Sequence, residues 1–216
     1  MEPTKHMKSQ PSRRMGITFV VSGPSGTGKS TICSRVLDTV DNLRFSISCT
    51  TRPLRDGEVE GRDYYFLSTE LFEQRIGNGE FIEHAEVHGN YYGTLRSEVE
   101  QHLDAGRDVL LDIDVQGAGQ IQNAATDTGW KTRTQFVFVG PPSVEVLEQR
   151  LRGRGTESQP TIRKRLAAAR TEMAQWRHYD YLVINETIDD AVAGFVAIIR
   201  SERMGISRIT GPAPWE

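Results

Sequence analysis

The fold of this chain is decided by the stretch Gly23-Pro24-Ser25-Gly26-Thr27-Gly28-Lys29-Ser30, which matches the pattern G-x-x-x-x-G-K-S/T at every fixed position. The β-branched and apolar residues 17–21 before it are typical of a buried strand. After it, Ile32, Val36 and Leu37 recur at the spacing of a helix face. Strand, glycine-rich loop and helix therefore follow in the order that a phosphate-binding loop requires.

Each part of this loop has a physical task in holding phosphate. Glycines let the backbone bend so that consecutive N–H groups point inward, and the helix beginning near Gly28 adds its positive dipole end. Lys29 can reach the β- and γ-phosphates of a nucleotide, and the Ser30 hydroxyl can ligate Mg²⁺. A chance glycine-rich turn is the alternative, and the complete motif with both flanking elements argues against it.

Size and composition exclude several classes of protein. The 216 residues predict one compact core with inserted subdomains, and the apolar runs are far shorter than the ~20 residues that span a bilayer. A net charge of −3 argues against general nucleic-acid affinity. Cys33 and Cys49 form neither a disulfide framework nor a metal motif, so we expect buried thiols in a reducing cytoplasm. The basic residues 1–15 predict a flexible tail and no secretory signal.

The order of elements predicts an α/β fold, because apolar strands alternate with helices as in a parallel sheet covered on both faces. The strand at 108–114 ends in aspartates, and ligands of such sheets collect at the carboxyl edge of the strands. Phe45–Arg52 alternates polar and apolar residues and predicts one strand. The predicted divisions are a tail (1–15), core (16–45), an α+β insertion with its own sheet (46–107), core (108–142), an arginine-rich helix–loop–helix (143–175), core (176–208) and a loose tail (209–216).

The insertion concentrates polar residues that suit a second phosphate and a purine base. Arg52, Arg55 and the hydroxyls of Tyr64 and Tyr92 can hold a phosphate. Glu83 can accept hydrogen bonds from the adjacent N1–H and N2–H₂ donors of guanine, a pair that adenine lacks. An unpaired buried carboxylate is heavily penalised, so discrimination of ~10⁴–10⁵ is attainable. Taken singly, Tyr64 could be a core residue, Glu83 a surface carboxylate and Arg55 an exposed loop charge.

The helix–loop–helix carries further basic residues. Arg154 lies between two glycines, where backbone can approach a ligand closely, so it is the strongest functional candidate of this group. For Arg163, Lys164 and Arg170 a solvated helix face is the favoured interpretation, because a run of charges usually faces water.

The sequence resembles the guanylate kinases of the bacterial type, a family of P-loop nucleoside monophosphate kinases. The resemblance covers about residues 16–203 and rests on the phosphate loop and on five further blocks. These blocks are Ser-Ile-Ser-Cys-Thr-Thr-Arg-Pro-Leu-Arg-Asp-Gly-Glu-Val-Glu-Gly-Arg-Asp-Tyr-Tyr-Phe (46–66), Glu-Phe-Ile-Glu (80–83), Gly-Asn-Tyr-Tyr-Gly-Thr (89–94), Leu-Asp-Ile-Asp-Val-Gln-Gly (111–117) and Gly-Arg-Gly-Thr-Glu (153–157).

This resemblance implies a three-layer P-loop NTPase fold with a central parallel sheet, a small GMP-binding insertion and a helical lid. It implies reversible transfer of phosphate from ATP to GMP or dGMP, with Mg²⁺ as cofactor, in the recycling of purine nucleotides. The implied catalytic residues are Lys29, Arg52, Arg150, Arg154 and Arg165. The implied ATP contacts are Gly23, Pro24, Ser25, Gly26, Thr27, Gly28, Lys29, Ser30, Thr31 and Asn185, the last beside the adenine. The implied GMP contacts are Ser48, Arg52, Arg55, Tyr64, Glu83, Tyr92, Thr94 and Asp114. Mg²⁺ would be held by Ser30, with Asp112 behind it.

The resemblance also bounds partners and mechanism. The substrates it implies are ATP and GMP, and we expect a cytoplasmic monomer or small homo-oligomer with no nucleic acid and no membrane as partner. Thr94 stands where many members have serine, and the hydroxyl is kept. No nucleophile–base pair stands out in the sequence. Because the acceptor is already an anionic phosphate oxygen, we expect direct transfer without a general base.

Two other functions remain open at this point. The first is a kinase with the same core that phosphorylates another small molecule, and Glu83 together with the two arginines and two tyrosines disfavours it. The second is a binding module, since the family includes non-catalytic domains that bind phosphorylated proteins. Those domains have degraded phosphate loops, whereas the loop here is complete.

Overall fold

The computed structural model describes residues 14–87, 89–128, 130–153 and 159–211. Of the predictions above, most of the N-terminal tail, the residues beyond 211 and the candidate Arg154 lie outside these ranges.

The central sheet has five parallel strands in the order β2-β7-β1-β8-β9. A second sheet has four strands in the order β4-β3-β6-β5. The strands are β1 (Thr18–Ser22), β2 (Leu43–Phe45), β3 (Cys49–Thr50), β4 (Tyr65–Phe66), β5 (Phe81–Val87), β6 (Asn90–Leu95), β7 (Asp108–Asp112), β8 (Thr134–Gly140) and β9 (Tyr181–Ile184). The helices are α1 (Lys29–Thr39), α2 (Thr69–Gly77), α3 (Arg96–Asp104), α4 (Val115–Thr128), α5 (Val144–Gly153), α6 (Gln159–Met173) and α7 (Ile188–Arg203).

Both faces of the central sheet are covered, which confirms the predicted α/β class. Successive residues of a strand point to opposite faces, so Phe19 and Val20 of β1 enter different cores. Phe19 meets Phe195 of α7 edge to face at 6.2 Å between ring centroids. Val20 belongs to the cluster that includes Leu103 of α3 and Ile121 of α4. The phosphate loop therefore leaves a strand that is held from both sides.

The second sheet lies wholly within the predicted insertion and has its own aromatic core. Phe72 of α2 is fully buried and stacks on Phe81 of β5 at 4.4 Å and on Tyr91 of β6 at 5.3 Å between ring centroids. Ser68 caps α2 by accepting a hydrogen bond from the Leu71 N–H at 3.2 Å, as its position before the helix suggests.

The prediction of one strand over Phe45–Arg52 is wrong. Strand β2 ends at Phe45 in the central sheet, and β3 covers only Cys49–Thr50 in the second sheet. The alternating pattern is present in both pieces, but it carries no information on which sheet each piece joins. The residues between them take the chain from the core into the insertion.

A buried carboxylate joins both ends of the described chain to the amino end of the central sheet. Asp108 is fully buried and accepts hydrogen bonds from Arg14 at 2.5 and 2.8 Å, from the Nε of Arg203 at 2.7 Å and from the Ile17 N–H at 2.9 Å. The Met15 N–H also donates to the Arg208 carbonyl at 2.8 Å. Arg14 and Met15, which the sequence assigns to a flexible tail, are thus fixed to the core, and we call these contacts the Asp108 clamp.

No helix in the described part of the chain combines the length and apolar character needed to cross a membrane.

Candidate active site

The phosphate loop runs from the end of β1 to the start of α1, as the motif predicts. Gly28 has φ +85°, and a Cβ there would lie 2.6 Å from Asn185 Nδ2. A Cβ on Gly23 would overlap the Val139 carbonyl oxygen. Only glycine fits these two positions. Both have a positive φ that disfavours residues with a side chain, and in both a neighbouring atom occupies the place of a Cβ.

The loop lines a cavity of about 350 Å³ together with Asp114 and Glu172. At its edge the Lys29 ammonium contacts Asp112, and the Ser30 hydroxyl lies 3.3 Å from the other Asp112 oxygen. The predicted loop residues and Asp112 are therefore brought together. A hydroxyl beside a carboxylate supplies oxygen atoms of the kind that Mg²⁺ takes when substrate phosphates and waters complete its coordination. Within the described ranges no group of three or more His, Cys, Asp or Glu side chains is placed to hold a metal by itself.

The loop is supported by one predicted ATP contact, Asn185, and by one predicted catalytic residue, Arg150. Asn185 is only 2% exposed and donates a hydrogen bond to the Thr27 carbonyl at 2.6 Å. Arg150 of α5 donates to the Asn185 carbonyl at 2.9 Å. Both contacts support the cradle. The expected position of Asn185 beside the adenine and the expected catalytic role of Arg150 stay predictions.

Two further catalytic candidates belong to the helix–loop–helix. Arg165 lies on α6, the helix that also carries Glu172. Arg154 is outside the described residues, so its expected contact with the transferred group stays a prediction.

A second cavity of about 200 Å³ opens on the insertion sheet. Its walls include five of the residues predicted to bind GMP: Ser48, Tyr64, Glu83, Tyr92 and Asp114. Asp114 also lines the phosphate-loop cavity, so the two cavities share this residue. The two cavities are therefore neighbours.

Glu83 is the buried acid of the insertion cavity. Strand pairing places it opposite Thr94, whose hydroxyl donates to Glu83 Oε1 at 2.7 Å. The Ser48 hydroxyl oxygen lies 3.5 Å from that of Thr94 and continues this polar chain. Burial raises the pKa of Glu83 to about 7, the charge of Asp114 adds to the increase, and the Thr94 hydrogen bond opposes it. Glu83 is only 6% exposed, which excludes the alternative that it is a surface carboxylate.

Arg52 is buried beside the aromatic wall of the same cavity. Its guanidinium lies 5.4 Å from the centre of the Tyr64 ring, and Tyr64 and Tyr92 meet edge to face at 6.0 Å. Glu58 receives two hydrogen bonds from Arg52, at 2.8 and 2.9 Å, which raise the pKa of the guanidinium above its usual value. Arg55 has an exposed side chain, and its backbone N–H donates to Glu58 at 2.9 Å.

Sequence reasoning missed two acidic residues of the site. Glu58 orients Arg52, and hydrogen bonds from Arg52 and from the Arg55 N–H lower the pKa of Glu58 to about 2. The loop at 53–58 contains turn-forming residues, and such a loop brings its last residue back toward its first. This pattern could have indicated a contact between Glu58 and Arg52. Glu172 faces the phosphate-loop cavity, and its pKa is raised by burial and by the negative charge of Asp114. No local motif marks Glu172.

Comparisons with known proteins agree with this geometry. The profile of the family described as guanylate kinase matches residues 15–202. The guanylate kinase of Thermotoga maritima is 47% identical over 193 residues, which cover 89% of this chain and 90% of that protein. The guanylate kinase of Symbiobacterium thermophilum is 48% identical over 193 residues, covering 89% of each chain. The crystal structure of guanylate kinase from Anaplasma phagocytophilum superimposes with a TM-score of 0.72 at 35% identity and covers 92% of both chains.

Proposed function

This chain belongs to the guanylate kinase family, and we propose that it transfers the γ-phosphoryl group of ATP directly to the phosphate of GMP. It is a nucleoside monophosphate kinase. The observation that carries the proposal is the pair of adjoining cavities, one built on a complete phosphate loop and the other on a buried carboxylate, with Asp114 in the wall of both. One cavity suits a nucleoside triphosphate and the other a purine monophosphate.

Recognition of the base depends on Glu83. As a carboxylate it can accept the N1–H and N2–H₂ of guanine together, and the Thr94 hydroxyl holds one of its oxygens in place. Adenine would leave this buried charge without donors, which is the strongest basis for selection in such a pocket.

The acceptor phosphate would bind at Arg52, Arg55, Tyr64 and Tyr92. Glu58 fixes the plane of the Arg52 guanidinium, so the arginine is oriented before any substrate arrives. A fixed cation lowers the cost of aligning the acceptor oxygen with the γ-phosphorus, because less motion has to be frozen during the reaction.

Lys29 and the arginines would neutralise charge on the transferred group. The transition state spreads negative charge over the γ-phosphoryl oxygens, and cations held in a water-poor site stabilise it. Mg²⁺, held through Ser30 with Asp112 behind it, would supply further charge neutralisation. Arg150, Arg154 and Arg165 would bring positive charge from the α5–α6 lid, and its closure would exclude water as a competing acceptor.

We infer that the protein works in the cytoplasm on small nucleotides, as a monomer or small homo-oligomer and without nucleic acid or membrane. The negative net charge argues against nucleic acid as a partner. Burial also raises the pKa of Cys33 and of Cys49 to about 12, so both thiols are unreactive at neutral pH.

The direct test measures ADP formation from Mg-ATP with GMP, dGMP, AMP, CMP, UMP and dTMP in parallel. We expect rapid turnover with GMP, slower turnover with dGMP and negligible turnover with the other four. Turnover on another acceptor would still identify a kinase, but it would rule out Glu83 as the residue that selects guanine. Binding of GMP or of a phosphopeptide without turnover on any acceptor would instead identify a binding module.

The pKa of Glu83 predicts how GMP binding depends on pH. Only the ionised carboxylate accepts both guanine donors, and with a pKa of about 7 roughly one tenth of it is ionised at pH 6. The apparent KM for GMP should therefore rise ~10-fold between pH 8 and pH 6, while the KM for ATP changes little. Proton release on GMP binding at pH 6, measured calorimetrically in two buffers, checks the same group.

The matched control is Glu83→Gln, which cannot titrate at this position. The KM of this variant for GMP should be high over the whole range from pH 6 to pH 8. Its only dependence on pH should come from titration of the GMP phosphate. An equal slope in both proteins would rule out Glu83 as the titrating group.

A further inference from the structure

Gly117 lies where α4 of the core meets the base-reading carboxylates of the insertion cavity. It is buried in the first turn of α4, and its N–H donates to Asp114 Oδ1 at 2.8 Å. A Cβ on Gly117 would lie 2.7 Å from Glu83 Oε2 and 3.3 Å from Glu83 Cδ. Because glycine has no side chain, the Glu83 carboxylate can occupy the space next to Gly117.

Two hydrogen bonds oppose a movement of the helix away from β5 that would relieve such a contact. Gln120, one turn further along α4, accepts from the His84 N–H at 3.0 Å and donates to the His84 carbonyl at 2.7 Å. These two hydrogen bonds fasten α4 to the strand residue directly after Glu83. A methyl group at position 117 would therefore displace the end of the Glu83 side chain and leave the backbone in place.

We propose that Gly117 is a positioning residue for guanine selection, which rests on the function proposed above. Its backbone holds Asp114, and its lack of a side chain sets where Glu83 Oε2 stands. Thr94 holds the other oxygen of the same carboxylate. Both oxygens are thus fixed, one by a hydrogen bond and one by the close approach of the helix, and the pair presents two acceptors at a defined place for N1–H and N2–H₂.

The test is Gly117→Ala with Gly119→Ala as its matched control. Both residues lie on α4, so both substitutions raise helix propensity alike, but a Cβ on Gly119 meets no atom within 4 Å. For Gly117→Ala we expect the KM for GMP to rise ~10–100-fold, the range that loss of a hydrogen bond to a charged group implies. The kcat at saturating GMP and the KM for ATP should stay near wild type, and Gly119→Ala should match wild type throughout.

The preference for GMP over IMP is a measurement that a general packing defect would leave unchanged. IMP lacks the N2 amino group, so a displaced carboxylate loses more with GMP than with IMP. The ratio of kcat/KM for GMP to that for IMP should therefore fall in Gly117→Ala and stay unchanged in Gly119→Ala.

A double-mutant cycle identifies Glu83 as the group through which Gly117 acts. In a Glu83→Ala background no carboxylate remains to be displaced, so Gly117→Ala should raise the KM for GMP no further. The double variant should also fold if Gly117→Ala alone does not, because the crowded side chain is gone.

The outcomes separate this inference from the function on which it rests. If wild type neither binds nor phosphorylates GMP, the proposed function fails and the inference fails with it. If wild type phosphorylates GMP and Gly117→Ala matches Gly119→Ala, only the inference is overturned. Fully additive effects in the cycle, or a double variant that also fails to fold, would overturn it as well.

Discussion

Replacing Lys29 with alanine is expected to lower kcat by ~10³-fold or more, because in the proposed mechanism the transition state loses a cation that neutralises the transferred phosphoryl group. The Lys29 side chain is 18% exposed and its ammonium contacts Asp112, whose side chain is 13% exposed, so water screens the lysine charge only weakly. The substitution also leaves the Asp112 charge facing the incoming phosphates. The steady-state rate of ADP formation with saturating Mg-ATP and GMP measures the effect.

Arg35→Ala is the matched control for Lys29. Arg35 lies on the same helix and also pairs with an aspartate, Asp189, at 2.6 Å. That pair is solvent-exposed, with 48% of the Arg35 side chain and 81% of the Asp189 side chain accessible, so its removal should leave kcat within about twofold of wild type. A Lys29→Ala protein that turns over within tenfold of wild type would contradict the assigned role.

Replacing Asp108 with asparagine is expected to lower the free energy of unfolding by ~3–5 kcal/mol, the usual cost of removing one partner from a buried ion pair. The Asp108 carboxylate is fully buried and serves both Arg14 and Arg203, so the neutral amide would leave two guanidinium groups short of a counter-charge. Denaturant unfolding of the variant should show a lower midpoint. Because the clamp lies at the amino end of the sheet, the KM values of the folded enzyme should change little.

Asp104→Asn provides the comparison on the surface. Asp104 accepts hydrogen bonds from Arg133 at 3.1 Å, but its side chain is 71% exposed. Surface pairs contribute ~0–1 kcal/mol, so this variant should unfold close to wild type. Equal midpoints for the two variants would show that the Asp108 clamp does not stabilise the fold.

The parts of the site that were predictable are those encoded by contiguous residues. The phosphate loop is a single stretch whose glycines, lysine and serine each meet a local requirement, and the structure places them as expected. The carboxylate and hydroxyl residues of the insertion were also predicted, and strand pairing brings Glu83 and Thr94 into contact.

The parts that were not predictable depend on contacts between distant segments. Asp108 reads as the first residue of an apolar strand, and its partners Arg14 and Arg203 lie 94 and 95 residues away in sequence. Likewise, nothing beside Gly117 in the sequence indicates that Glu83 will pack against it. The break in Phe45–Arg52 was hidden because alternation describes a strand and not the sheet that it joins.

Asp114 stands in the wall of both cavities, so a displacement of this residue is a route by which the two sites can be coupled thermodynamically. Any shift of this side chain that follows filling of one cavity also reshapes the other. Equilibrium linkage then requires reciprocity: the factor by which the first nucleotide changes the affinity for the second equals the factor by which the second changes the affinity for the first. The order in which the two nucleotides arrive leaves the free energy of the ternary complex the same.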